Sequence, residues 1–315
     1  MAITLLTWTN PREKYRLSPL LASADRFQLE ITPISCRSLL DKLWSLKRSI
    51  QQLPDDQWVV CTDGYDCLYL RSIEEIIAQL QNFGTGIIFS SQTEPDHHSK
   101  FAIDYFRTRY GTAHYPILNS GIIAGRVQDL NRMISRIQQW DLKQEEMEFR
   151  KSMAGIGNFN DQTLCGLYAA RFPDETIVDS QAQLSWTSAY ENDIVNSAIR
   201  QNGGLFQNPK SGTFPCIFHL PYTTPDVYLQ YLSVYIANFD TLLASDADLV
   251  RIDRLLSKGG AIRQDGERVL EVLQKDPNYL SSRKQQFARN RNKTIHMTVS
   301  KLVRLLFPRG TGLGT

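Results

Sequence analysis

Apolar residues recur with two periods along the first two thirds of this chain. Short apolar runs bounded by polar residues predict strands at Ile3–Thr9, Phe27–Ile31, Trp58–Thr62, Gly86–Ser90, Ile117–Ala124, Thr176–Val178 and Pro215–Leu220. Between them, apolar residues three and four apart predict helices. Leu39, Leu43, Leu46 and Ile50 define one within Ser38–Leu53, and Leu130, Met133, Ile134 and Ile137 another within Val127–Trp140. Ser72 caps a third through Leu80, with Glu74 and Glu75 in the favourable first turn. Gln162–Phe172 is a fourth. Alternation of strand and helix predicts an α/β domain whose mostly parallel sheet is covered on both faces.

Two stretches break the pattern. Gln138–Asn158 is polar and charged and reads as either a flap or a helical insertion. After Thr224 the chain turns apolar and aromatic over Val227–Leu243, then amphipathic over Leu249–Leu273. The expected division is therefore a domain at 1–225, a helical extension at 226–282 and a tail at 283–315.

Charge sharpens that last boundary. The 315 residues have a net charge of +2, but from Arg283 onward there are eight basic residues and no acidic one. The rest holds 27 of the 35 basic side chains against all 33 acidic ones, a net of −6. An acidic body with a cationic tail does not suit nucleic acid, and the amphipathic tail is expected either to dock on the body or to touch an anionic membrane surface. No apolar run approaches a spanning helix, and no basic segment precedes the short apolar N-terminus. A cytoplasmic, or membrane-peripheral, protein is expected. Its five cysteines lack paired metal spacing and read as reduced core thiols.

Four places carry chemistry. In Trp58-Val59-Val60-Cys61-Thr62-Asp63-Gly64-Tyr65-Asp66 an apolar strand emerges into two carboxylates three apart. Ligands of open α/β sheets bind beyond the carboxyl ends of strands, and two carboxylates there suit a hard divalent ion. Gly64 permits close backbone approach and Tyr65 can pack on a base or sugar; the plain alternative is a solvated turn. In Asn158-Phe159-Asn160-Asp161-Gln162, Asp161 reads either as a helix N-cap or, with Gln162, as a group facing a polyhydroxyl ligand. In Leu118-Asn119-Ser120-Gly121, polar residues inside a strand mark either a ligand contact or a bulge bonded to nearby backbone. His219 ends an apolar strand and is either structural or the third ligand of an ion site. His97 and His98 lie in a polar loop and read either as a metal pair or, as adjacent loop histidines usually are, as exposed side chains.

Together and in this order, these runs resemble the glycosyltransferase domain of procollagen lysyl hydroxylases over about Thr4 to Tyr231, with Asp41-Lys42-Leu43-Trp44-Ser45-Leu46-Lys47 resembling the start of that family's Lys-containing helix. The resemblance implies a GT-A fold, a Rossmann-like sheet that takes a UDP-sugar and Mn²⁺ (or Mg²⁺). It implies that Asp63, Asp66 and His219 hold the ion. Thr7 and Tyr65 would line the nucleoside pocket, with Gly64 beside it, and Lys42 would reach the diphosphate. Asn119, Ser120, Gly121, Asp161 and Gln162 would face the transferred sugar or the acceptor, a hydroxyl on a protein, a glycan or a lipid-linked sugar. The expected activity is transfer of a hexose, glucose or galactose, with retention. A non-catalytic GT-A-like binding module and another Mn²⁺-dependent nucleotide enzyme are the alternatives. Three departures stand out. The family's aspartate run is reduced to Asn158-Phe159-Asn160-Asp161, its Gly-Asn-Gly after the histidine is Leu220-Pro221-Tyr222, and no hydroxylase part is present, so a stand-alone transferase is expected.

Overall fold

The computed structural model describes residues 2–10, 20–21, 23–24, 27–64, 66–152, 157–189 and 207–221, all within the unit Met1–Lys258. The helical extension and the basic tail lie outside the described residues, as does Tyr65.

Six strands form the main sheet: β1 (Ile3–Thr9), β2 (Ile31–Ser35), β3 (Trp58–Asp63), β5 (Ile87–Gln92), β6 (Ile117–Arg126) and β7 (Thr176–Val178). Their order is β2-β1-β3-β6-β5-β7. Only β6 runs against its neighbours, pairing antiparallel with both β3 and β5, while β1–β2, β1–β3 and β5–β7 are parallel. The mixed, mostly parallel sheet expected from the pattern is what forms. A second sheet, in the order β4-β9-β8, joins Cys67–Tyr69 (β4), Ile217–His219 (β9) and Ser185–Thr187 (β8).

Consecutive residues of the central strands face opposite sides, so an unbroken apolar run fills two cores. Leu6, Trp8, Val59, Cys61 and Phe89 join one core with Leu43, Leu46 and Ile50 of helix α1 (Asp41–Ile50). The same core takes Ala102 and Phe106 of α3 (Lys100–Tyr110) and the apolar face of α4 (Val127–Gln138). It also takes Leu164, Cys165 and Tyr168 of α6 (Asp161–Arg171), a helix buried around most of its girth. Leu5, Trp58, Val60, Ile88 and Ile122 form the opposite core with Ile76 and Leu80 of α2 (Ile73–Phe83) and with Cys67, Tyr69 and Ile217 of the small sheet. Ser72 and Glu75 cap α2 reciprocally, as its sequence predicts. All five cysteines are free, and four are buried.

Several expectations are corrected. The second strand is Ile31–Ser35, not Phe27–Ile31. Phe27 and Leu29 instead donate their N–H groups to Ala24 O in a turn where Gln28 takes φ 53°, and both side chains pack into the core beneath it. The strand itself carries Pro33 and mostly exposed residues, as an edge strand tolerates. Within Gln138–Asn158, the described residues hold a helix at Leu142–Lys151. Asp141 caps α5 (Leu142–Lys151), whose charged surface is laced by Arg150–Glu146 and Lys151–Glu148 pairs. His98 is not exposed. It is buried edge-on to Phe106, 5.6 Å between ring centroids, and burial pushes its imidazole down to about 3.

Candidate active site

The site forms where β3 and β6 pass beside the small sheet. Parallel pairing of β1 with β3 sets Trp8 beside Asp63, and antiparallel pairing of β3 with β6 sets Thr62 beside Ile122. Asp63 thereby ends a strand buried over Trp58–Thr62 and is itself only partly buried. Asp66 follows the turn through the buried Gly64, and its carbonyl accepts the N–H of Leu220 at 2.8 Å. That bond and the β4–β9 ladder bring His219 to the two aspartates. His219 Nε2 lies 3.6 Å from Asp66 Oδ1 and 3.8 Å from Asp63 Oδ2. His219 thus stands near both aspartates, 153 residues from Asp66 and 156 from Asp63, but the donor atoms mutually within 4.8 Å are those of Asp66, Cys67 and His219, without Asp63.

The imidazole is fixed from behind. Its Nδ1 is 3.4 Å from Thr187 Oγ1, so with Nδ1 as the donor the lone pair of Nε2 faces the carboxylates. Gly121 makes this possible. A Cβ there would stand 2.1 Å from His219 Cε1, so the glycine expected to admit a ligand admits this imidazole.

Opposite His219 lies a set of paired groups. Lys42, in the first turn of α1, is 7% exposed, hydrogen-bonds Asp63 Oδ1 and stands 3.6 Å from Asp161 Oδ2. Burial alone would lower its pKa, but Asp161 and Asp63 raise it, so the ammonium stays charged. Burial, with Asp66 and Asp161 adding repulsion, pushes Asp63 up to about 6 against the pull of Lys42 and His219. Asp161 is 2% exposed and accepts the hydroxyl of Ser120 at 2.9 Å. It is not the N-cap of α6. Asn160 takes that role in a reciprocal cap with Thr163, which leaves the Asp161 carboxylate free for the site.

The remaining expected residues frame the site. Gln162 accepts the N–H of Ser120 at 3.3 Å and donates to Asp96 O at 2.7 Å, tying α6 to β6. Asn119 sits at the bulge between β5 and β6, accepting from Gly121 N (2.8 Å) and Ser90 Oγ (3.2 Å) and donating to Gln92 Oε1 (2.7 Å). Its amide is held inside the sheet, the bulge alternative of the sequence reading. Thr7 is fully buried, its hydroxyl donating to Thr62 O at 3.1 Å between β1 and β3. Sequence reasoning missed Cys67, whose sulfur joins Asp66 and His219 in one cluster of donor atoms mutually within 4.8 Å. The signal was adjacency to Asp66, obscured by reading every cysteine as core.

The residues fit a divalent cation. His219 Nε2 and Asp66 Oδ1 are buried and have no hydrogen-bond partner. Two buried polar atoms 3.6 Å apart with no hydrogen bond are costly unless a proton or a cation lies between them. Ligands of one ion at about 2.0–2.2 Å stand about 3–3.5 Å apart, close to that spacing.

Residues 40–155 match the family model described as the PLOD GT domain. The match spans Lys42, Asp63, Asp66, Asn119, Ser120 and Gly121 and ends before Asp161 and His219, which the fold alone brings in. No curated protein matches the chain. Among solved structures, the chain is similar to mouse xyloside xylosyltransferase 1 in its apo form, at 13% identity over 70% of this chain and 97% of that one, with a TM-score of 0.42. It is also similar to the galactosyltransferase LgtC in complex with donor and acceptor sugar analogues, at 10% identity over 78% and 99% of the two chains and a TM-score of 0.44. A glycosyltransferase involved in glycosylation of the major capsid of PBCV-1 gives 11% identity over 71% and 96%, with a TM-score of 0.37. Over residues 40–155, somewhat more than a third of its length, the chain is similar to the PLOD GT domain.

Proposed function

We propose that this protein transfers a hexose, glucose or galactose, from a UDP-sugar to a hydroxyl of a protein, glycan or lipid-linked sugar, with retention at the anomeric carbon. The observation that carries the reading is the pair of buried polar atoms without partners, His219 Nε2 and Asp66 Oδ1, with Asp63 Oδ2 3.8 Å from that nitrogen. Asp63, Asp66 and His219 would hold Mn²⁺ or Mg²⁺, which when bound supplies positive charge to a diphosphate leaving group. Lys42 holds Asp63 by one oxygen and leaves Oδ2 turned toward His219, so the carboxylate is oriented before any ligand arrives. Asp161, fixed by Ser120 and Lys42, presents a carboxylate to the sugar side, where negative charge stabilises oxocarbenium character. Gln162 and Asn119 position Ser120 and the β6 backbone.

The test is a screen of UDP-sugars for UDP release with and without Mn²⁺, repeated on Asp66→Ala. The reading expects metal-dependent release from one donor and at least about a hundredfold loss in the variant, the scale of removing a group that stabilises developing charge. Unchanged turnover in Asp66→Ala sinks the ion assignment. Release without Mn²⁺ sinks it equally, and inversion in the product's NMR spectrum sinks the stereochemical reading. For location, the basic segment 283–315 supports a cytoplasmic protein that meets anionic membranes peripherally. Unchanged liposome partitioning after its removal would count against that.

A further inference from the structure

Cys67 opens β4 and pairs directly with His219 across the β4–β9 ladder, which sets both side chains beside Asp66. The three offer a sulfur, a nitrogen and an oxygen mutually within 4.8 Å. His219 is 1% exposed, and its Nε2 has no partner. This donor set differs in kind from the one that suits Mn²⁺ or Mg²⁺. Oxygen ligands favour those hard ions, whereas thiolate with imidazole favours zinc-class cations.

We propose that the ion site has a second, soft-metal mode in which Asp66, Cys67 and His219 hold a thiophilic cation of the zinc class in place of the hard ion. The inference rests on the reading of Asp66 and His219 as cation ligands and adds a means of regulating that site. Asp63 separates the two modes. Its Oδ1 is already bonded by Lys42, so exchange of Asp63 for Cys67 leaves an intact ion pair behind. The step is a ligand exchange with no redox change: the Cys67 S–H bond breaks, its proton goes to buffer, and a sulfur–metal bond forms. A thiolate bond near 2.3 Å and an imidazole bond near 2.0 Å require the cluster to close by about 1 Å, which a carboxylate at a turn allows. The soft ion would thus inhibit by occupying the seat of the hard one.

The full chain is titrated with Cd²⁺, or Co²⁺ as a coloured probe, and the near-ultraviolet sulfur-to-metal charge-transfer absorption is followed. Free Mn²⁺ is read in parallel by electron paramagnetic resonance. A band that saturates at one ion per chain is expected, with release of bound Mn²⁺ as it grows. Cys67→Ser should lose the band and weaken Cd²⁺ binding at least about tenfold while still binding Mn²⁺, which shows that the variant is folded. Cys36→Ser, a change at the half-buried thiol, should keep the band. A wild type that binds Mn²⁺ but shows no band overturns this inference alone, as does a band that persists in Cys67→Ser. A wild type that binds neither ion overturns the cation reading as well.

Discussion

The two sides of the candidate site solve the same electrostatic problem in different ways. On the Lys42 side, Asp63 and Asp161 share one buried ammonium, and Ser120 adds a hydroxyl. The hydrogen bonds close within the chain around one positive and two negative charges. On the His219 side, Asp66 Oδ1 and His219 Nε2 are buried 3.6 Å apart, and neither makes a hydrogen bond. Both cannot be cheap to bury, because an unpaired polar atom costs about 1–3 kcal/mol. On the proposed reading the paired side carries the fold and the unpaired side takes the ligand. Substitutions on the two sides should then move stability and binding in opposite proportions.

The largest effect is expected from Lys42→Met. It removes the ammonium that stands over the Trp8 ring, 5.2 Å from its centroid, and leaves two carboxylates without their cation. A loss of about 3–5 kcal/mol is expected, the scale for stripping one partner from a buried ion pair. Chemical denaturation measures it, and Lys42→Met combined with Asp161→Asn should recover part of the loss. A loss below about 1 kcal/mol would mean that the paired side does not carry the fold.

Gly121→Ala comes next, because it couples the two sides. The new methyl would occupy the position of the His219 ring, so ring and strand must shift. Overpacking of this kind costs about 1–3 kcal/mol. Metal binding should fall more steeply than stability, since the imidazole moves off its seat. Calorimetric titration with Mn²⁺ beside a thermal melt separates the two, and intact binding at reduced stability would show that His219 is structural.

Asp179 supplies a buried carboxylate closed by neither a cation nor a ligand. It accepts the backbone N–H groups of Gln183, Leu184 and Ser185 at 2.8–2.9 Å in the turn that leads into β8. Burial nonetheless pushes it up to about 7. A folded pKa above the unfolded value of about 3.9 means that folding takes up a proton, so this contribution is full below pH 4 and is lost as pH rises toward 7. Stability should fall across that window with a slope of at most about 1.4 kcal/mol per pH unit. The slope should vanish in Asp179→Asn, and a variant profile parallel to wild type would remove Asp179 as its source.

How much of this was legible follows from range. The apolar strand before Asp63 and the reversal into Asp66 are local, so the sequence displays them, and the alternation of Leu5 with Leu6 and Val59 with Val60 predicts two cores. The pairing of Lys42 with Asp161 joins residues on separate helices, and nothing in either neighbourhood announces it. The cap of α6 stays open in the sequence because Asn160 and Asp161 are equally good caps, and tertiary contacts with Ser120 and Lys42 decide which one turns inward. Strands β4 and β8 are only three residues long, too short for a period to register. Yet β4 carries Cys67 to His219. His98 looked exposed because a run of polar neighbours hides the core contact with Phe106.

Asp66→Ala should change stability least and binding most. Its side chain is 22% exposed, and the orphaned oxygen makes no hydrogen bond that the substitution could break. The backbone bond from Leu220 N to Asp66 O survives, because it needs no side chain. Removing the carboxylate also relieves repulsion on Asp63. The melting temperature without metal should therefore match wild type or rise slightly. The difference should emerge only when Mn²⁺ is added. An ion at a hundred times its dissociation constant stabilises a folded chain by about 2.7 kcal/mol, so wild type should shift upward in the melt while the variant stays in place. A variant that melts several degrees lower without metal would show that Asp66 carries the fold after all. One that still shifts with Mn²⁺ would move the ion to other ligands.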